Sequence, residues 1–146
     1  VTGVQTCALP IYSSPMEKQS QDIPSKTKKI LIVEDQPDNF RLLQEFLLDT
    51  GVTILHAESG EKSLEYVSAH PDIDLVLMDL RLPGLDGVQT TRKLKEQLPD
   101  IPVVAQTAYM REQYAHDEGL FADYLTKPID KNTFSKVTGR LLNLTL

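Results

Sequence analysis

One pattern constrains this chain more than any other. A short, wholly apolar run is followed by a longer segment with apolar residues at helical spacing, and the pairing recurs along the sequence. Ile30-Leu31-Ile32-Val33 precedes a segment with Phe40, Leu43 and Leu47 about a helical turn apart. Runs that are apolar throughout, rather than alternating, suit strands covered on both faces. The pattern predicts strands at 29–33, 53–57, 73–78, 102–105 and 122–126. It predicts helices at 37–50, with Gly51 as C-cap, at 60–70, ended before Pro71, and at 111–118, ended at Gly119. Asp86 and Asp130 are placed to cap two more, one running to Gln97 and one to the end of the chain. Their inward stripes are Val88, Thr91 and Leu94, and Phe134, Val137, Leu141 and Leu144. Leu64 and Val67 face inward from the second helix, and "LPGLDG" at 82–87 is a turn. Strands alternating with helices imply an α/β fold, a doubly wound parallel sheet with right-handed crossovers. For five strands the expected arrangement is the flavodoxin-like (βα)5 order 2-1-3-4-5, which brings the carboxyl ends of strands 1 and 3 together at the switch point where ligands bind.

Composition narrows the function. The 146 residues suffice for one domain with a real core. The net charge of −6 and pI near 5.0 argue against a nucleic-acid or anionic-membrane surface. The basic cluster Lys26, Lys28 and Lys29 is too short to change that. No apolar run approaches a membrane span, so no membrane contact by this domain is expected. Cysteine is nearly absent, which fits a reducing, cytoplasmic setting and excludes a thiolate metal site.

The first residues, "VTGVQTCALPIY", have no period, cap or charge. Val1 to Ile11 match the conceptual translation of a common sequencing adapter, and Tyr12 has a codon compatible with the next base. A secretory signal would need a basic start and an uninterrupted apolar stretch, and Pro10 breaks this one. Residues 1–12 are therefore read as an artefact, 13–28 as a flexible polar lead or linker, and 29–146 as the folded domain.

Chemistry gathers at the strand ends. Strand 1 ends in Glu34-Asp35 and strand 3 in Asp79; strand 4 leads to Thr107-Ala108 and strand 5 to Lys127-Pro128. Taken singly each has a duller reading: Asp35 as a helix cap, Asp79 as a turn former, Lys127-Pro128 as an exposed turn. Together they put three carboxylates, a hydroxyl and an ammonium on one edge. Adjacent carboxylates repel, more so when partly buried, and the cluster needs cations. A hard divalent ion, a phosphoryl group and a lysine satisfy that need, so phosphoryl transfer is the chemistry indicated. His56, His70 and His116 have no ligand-like spacing and are read as surface residues.

From Lys29 to Leu144 the chain resembles a response-regulator receiver domain of a two-component system. The resemblance rests on "ILIVEDQPDN", "DLVLMDLRLPGLDG", "IPVVAQTAY" and "ADYLTKPID". It implies that Asp79 is the phosphoacceptor and that Mg²⁺, with Mn²⁺ as a substitute, is held by Asp35, Asp79 and the backbone carbonyl of Arg81, with Glu34 acting through water. It implies that Lys127 and Thr107 bind the phosphoryl oxygens, that Tyr124 follows Thr107 as the switch aromatic, and that Lys127-Pro128 is cis. The small Ala108 lies beside them. Arg81 and Tyr109 would border the path of attacking water. The implied partners are a histidine kinase or histidine phosphotransfer protein upstream and a protein target downstream. The target would read the face formed by 111–118, strand 5 and the last helix. Such a domain is a switch that promotes its own phosphoryl transfer and dephosphorylation, not an enzyme acting on others.

Three alternatives have specific requirements. A phosphatase of similar sheet would carry D-x-D at strand 1. A nucleotide or flavin module would need a glycine-rich loop there, and "EDQPDN" has no glycine. A phosphorylation-independent interaction module of the same fold would show no mass gain with a phosphodonor. The context is expected to be either a single-domain regulator starting near Met16 or the C-terminal receiver of a hybrid sensor kinase.

Overall fold

The computed structural model describes residues 27–108 and 119–144. Its elements, in chain order, are β1 (Lys29–Val33), α1 (Pro37–Phe46), β2 (Thr53–Ala57), α2 (Gly60–Ala69), β3 (Leu75–Asp79), α3 (Gly87–Gln97), β4 (Val103–Thr107), β5 (Asp123–Thr126) and α4 (Lys131–Leu142). The five strands form one sheet in the order β2-β1-β3-β4-β5, and all four pairings are parallel. The helix expected at 111–118, together with Tyr109 and His116, lies outside the described residues.

Each apolar run divides its side chains between two cores, because successive strand residues point to opposite faces. Leu31, Val33, Val76, Met78, Val103 and Ala105 pack on one face, with Val67 of α2 and Leu94 of α3. Ile30, Ile32, Leu75, Leu77 and Val104 pack on the other, with Leu43 of α1 and Phe134, Val137 and Leu142 of α4. This two-sided burial is why the runs do not alternate with polar residues. Leu64, Val88, Leu141 and Leu144 are partly buried and pack against these cores.

Two predicted caps are present. Asp86 accepts the Gln89 N–H at 2.8 Å, and Asp130 accepts the Thr133 N–H at 2.9 Å. Other boundaries differ from the sequence reading. Helix α1 stops at Phe46, not Thr50: the Leu47 and Leu48 N–H groups turn to carbonyls three residues back, Gln44 at 3.1 Å and Glu45 at 3.2 Å, so the last turn tightens and the helix ends. The chain then passes through left-handed conformations at Asp49 and Gly51, with φ of 66° and 82°. Strand β3 begins at Leu75 rather than Ile73, since the Ile73 amide closes a turn onto the His70 carbonyl at 3.2 Å. Strand β4 runs on to Thr107. Helix α4 ends at Leu142, and Asn143 caps it in a left-handed conformation.

Candidate functional site: an acidic cluster at the strand ends

Parallel pairing in this order sets the ends of β1, β3, β4 and β5 side by side. Val33 pairs with Met78, so Glu34 and Asp79 leave adjacent strands at the same level. Asp79 pairs with Gln106, and Thr107 with Thr126. The Lys127 amide continues that ladder onto the Thr107 carbonyl at 2.8 Å. The close approach of α3 helps set the level of Asp79. A Cβ on Gly87 would stand 2.6 Å from Leu80 Cα, closer than any side chain permits.

Asp79 is 2 % exposed and held at both oxygens. Its Oδ1 accepts the Arg81 N–H at 2.9 Å, and its Oδ2 accepts from Lys127 Nζ at 3.1 Å. Lys127 Nζ also lies 3.6 Å from Glu34 Oε1. Glu34 is fully buried; its Oε2 accepts the Gln36 N–H at 3.2 Å, while Oε1 has no hydrogen-bond partner among the described residues. Burial, and then the neighbouring Asp79 charge, push the Glu34 carboxyl up to about 7; Lys127 and the Gln36 N–H pull the other way and do not prevail. Glu34, Asp35 and Asp79 each offer an oxygen, all within 4.8 Å of one another. A hard cation that prefers oxygen ligands fits this donor set, and one lysine ammonium stands against the three clustered carboxyls.

The remaining predicted residues take distinct places. Thr107 is buried at the end of β4, and Ala108 just beyond it is exposed. Tyr124 pairs with Ala105, two residues before Thr107 on the same face, and meets Phe121 edge-on at 5.5 Å. The Lys127–Pro128 peptide is cis. Arg81 is exposed next to Asp79.

Two residues have more structure than the sequence reading allowed. His56 is not a plain surface residue: it is half-buried, bonded to the Glu34 carbonyl at 2.8 Å and stacked on Phe40. Its partner is 22 positions away, which only the β1–β2 register brings near. Gln106 is fully buried beside Asp79 in the ladder, and neither end of its amide has a partner among the described residues. A glutamine inside "PVVAQTA" was the available signal, since the flanking run is otherwise apolar.

The fold and the clustered carboxylates define a receiver-type α/β domain, and comparison with known proteins agrees. The family model for the response regulator receiver domain matches residues 30–138, and the chain belongs to that family. It is 35% identical over 113 residues to the polar-differentiation response regulator DivK of Brucella ovis, covering 74% of this chain and 90% of DivK. It is 32% identical over 133 residues to the sensor histidine kinase GacS of Pseudomonas protegens, covering 86% of this chain but only 14% of that protein. The chain thus spans a small part of the sensor kinases it matches. Among solved structures, the receiver domain of the hybrid histidine kinase CckA superposes with a TM-score of 0.68 at 29% identity, covering 78% of this chain and 98% of that one. The Vibrio cholerae chemotaxis protein CheY4 shares the fold, with a TM-score of 0.73 at 21% identity, over 80% of this chain and all of CheY4. No helix among the described residues is long and apolar enough to cross a membrane.

Proposed function

We propose that this domain, residues 29–146, accepts a phosphoryl group on Asp79 from a phosphohistidine of a kinase or phosphotransfer protein, and relays the change to a protein target in the cytoplasm. The observation that carries the reading is the setting of Asp79: a buried carboxylate between Lys127 Nζ at 3.1 Å and the Arg81 N–H at 2.9 Å, beside two further acids. Support also comes from the family and from relatives named as a response regulator and as histidine kinases.

In the transfer, an Asp79 carboxylate oxygen forms a bond to phosphorus as the phosphorus–nitrogen bond of the donor breaks. The electron pair returns to the donor imidazole, which takes up a proton. Asp35, Asp79, the Arg81 carbonyl and, through water, Glu34 would hold Mg²⁺ or Mn²⁺; when bound, the ion supplies positive charge to the phosphoryl oxygens. Lys127 exchanges its pairing with Asp79 for one with a phosphoryl oxygen, so its charge follows the charge being moved. Thr107 donates its hydroxyl to the same group, and Tyr124, on the same face two residues away in register, follows it inward. Moving a two-state population from mostly off to mostly on takes roughly 5 kcal/mol. Two or three charge-assisted hydrogen bonds, at about 1.5–3 kcal/mol each, are of that size. The readout includes the face of β5 and α4.

Incubation with acetyl phosphate and Mg²⁺, followed by intact-mass measurement, tests this. One phosphoryl adduct is expected, absent without the cation and absent in Asp79→Asn. An unchanged mass, or an adduct that survives Asp79→Asn, overturns the reading and favours a phosphorylation-independent interaction module.

A further inference from the structure

Around the acid pair, the backbone of Glu34 and Gln36 is tied down at both N–H groups and both carbonyls. The Glu34 N–H extends the β1–β2 ladder to the Ala57 carbonyl at 3.0 Å. The Gln36 N–H is taken by Glu34 Oε2 at 3.2 Å, and the Gln36 carbonyl receives the Phe40 N–H at 3.1 Å. The Glu34 carbonyl belongs to the peptide carrying Asp35. It is bonded not to backbone but to His56 Nε2 at 2.8 Å. A carbonyl can only accept, so Nε2 carries the hydrogen. The ring cannot swing freely, because it lies flat on Phe40, with centroids 3.7 Å apart and planes 5° from parallel. Phe40 itself sits in the first turn of α1, the helix that begins two residues after Asp35. Asp35, by contrast, is only partly buried, and its carboxylate is met by the exposed Gln36 amide at 3.3 Å. Its placement therefore depends on the peptide before it.

We propose that His56 is a positioning residue for the acid pair: its Nε2–H, held by the stack on Phe40, fixes the Glu34–Asp35 peptide and so presents the Asp35 carboxylate for a divalent cation. This rests on the reading that the cluster takes such a cation. The competing explanation is that His56 merely fills the sheet edge, where it borders an open groove of about 310 Å³ with Phe40, Arg41, Gln44 and Glu58. The two are separable because the ring and its N–H can be removed independently. His56→Phe keeps a flat ring for Phe40 and deletes the donor. His56→Gln keeps an N–H donor of similar reach and deletes the ring.

The experiment is calorimetric titration of the full chain with Mn²⁺ at pH 8, alongside thermal melts without cation. His56→Phe is expected to bind three- to tenfold more weakly than the parent while melting near it. His56→Gln is expected to bind within twofold of the parent while melting lower. Affinity and stability then rank the variants in opposite orders, which edge-filling cannot produce. If His56→Phe binds as the parent does, or affinity merely follows melting temperature, the inference is overturned and the metal reading stands. A parent that binds no Mn²⁺ overturns the metal reading and the inference with it. Should His56→Phe fail to fold, long-range ¹⁵N–¹H spectra of the parent decide. The expected ring is protonated at Nε2, and one protonated only at Nδ1 has no donor for Glu34 and sinks the proposal.

Discussion

Replacing Glu34 by glutamine should stabilise the cation-free protein at alkaline pH. The reason lies in a carboxyl that is fully buried, faces Asp79 and has one oxygen without a hydrogen bond among the described residues. Its folded-state value is raised from 4.5 to about 7. Between those values the folded chain keeps a proton that the unfolded chain has lost. Stability therefore falls as pH rises through that window, by ~1.4 kcal/mol per pH unit, and levels off once Glu34 ionises in both states. Across the window the loss reaches at most ~3 kcal/mol. Glutamine carries no such penalty and can donate to a neighbouring oxygen. Urea unfolding followed by circular dichroism, in chelator, at pH 5 and pH 8, measures the difference between Glu34→Gln and the parent. Because both proteins share every other titrating group, the change in that difference isolates Glu34. The variant should match the parent at pH 5 and exceed it by about 1–3 kcal/mol at pH 8. Added Mg²⁺ at pH 8 should narrow the gap, since a ligand that binds only the folded state stabilises it by mass action and the parent has the fuller set of acids. A gap that is the same at both pH values, or a variant less stable than the parent at pH 8, would refute the argument.

Lys127→Met removes the ammonium that stands 3.1 Å from Asp79 and 3.6 Å from Glu34. It should cost about 1–3 kcal/mol at pH 8 and less at pH 5, read by the same unfolding assay, because uncompensated buried charge is the source of the loss. Gln106→Leu removes a buried amide with no protein partner among the described residues, and should raise the unfolding free energy by about 1–3 kcal/mol. Gly87→Ala forces a methyl against the Asp79–Leu80 backbone and should lower stability by about 1–3 kcal/mol, with weaker Mn²⁺ binding as a second readout. Asp86→Ala deletes the cap on the Gln89 N–H and should cost ~1 kcal/mol in the melt while leaving cation affinity at the parent's value, unlike Gly87→Ala.

What could be read from the chain follows from the range of the interactions. The β1 run Ile30 to Val33 was recognisable because burial on both faces leaves no polar position in the run. The caps at Asp86 and Asp130 were recognisable because a capping side chain reaches a donor three residues on. The end of α1 was not: Gly51 looked like the stop, but the turn tightens to three-residue bonds at Leu47 and Leu48 before the helix reaches it. His56 was misread for a related reason, since its worth depends on a carbonyl 22 residues away.

The order of residue types along this chain determined by itself that strands and helices would alternate, and which strand ends would carry acid, hydroxyl and amine, because hydrophobic period and turn chemistry act over a few residues. Only the tertiary structure decided that Glu34 would be sealed from water against Asp79, that Gln106 would lie buried beside Asp79, and that His56 would bond the peptide of the acid pair. Those outcomes depend on strand register and on what the facing helices exclude, and such long-range contacts leave no local mark in the sequence.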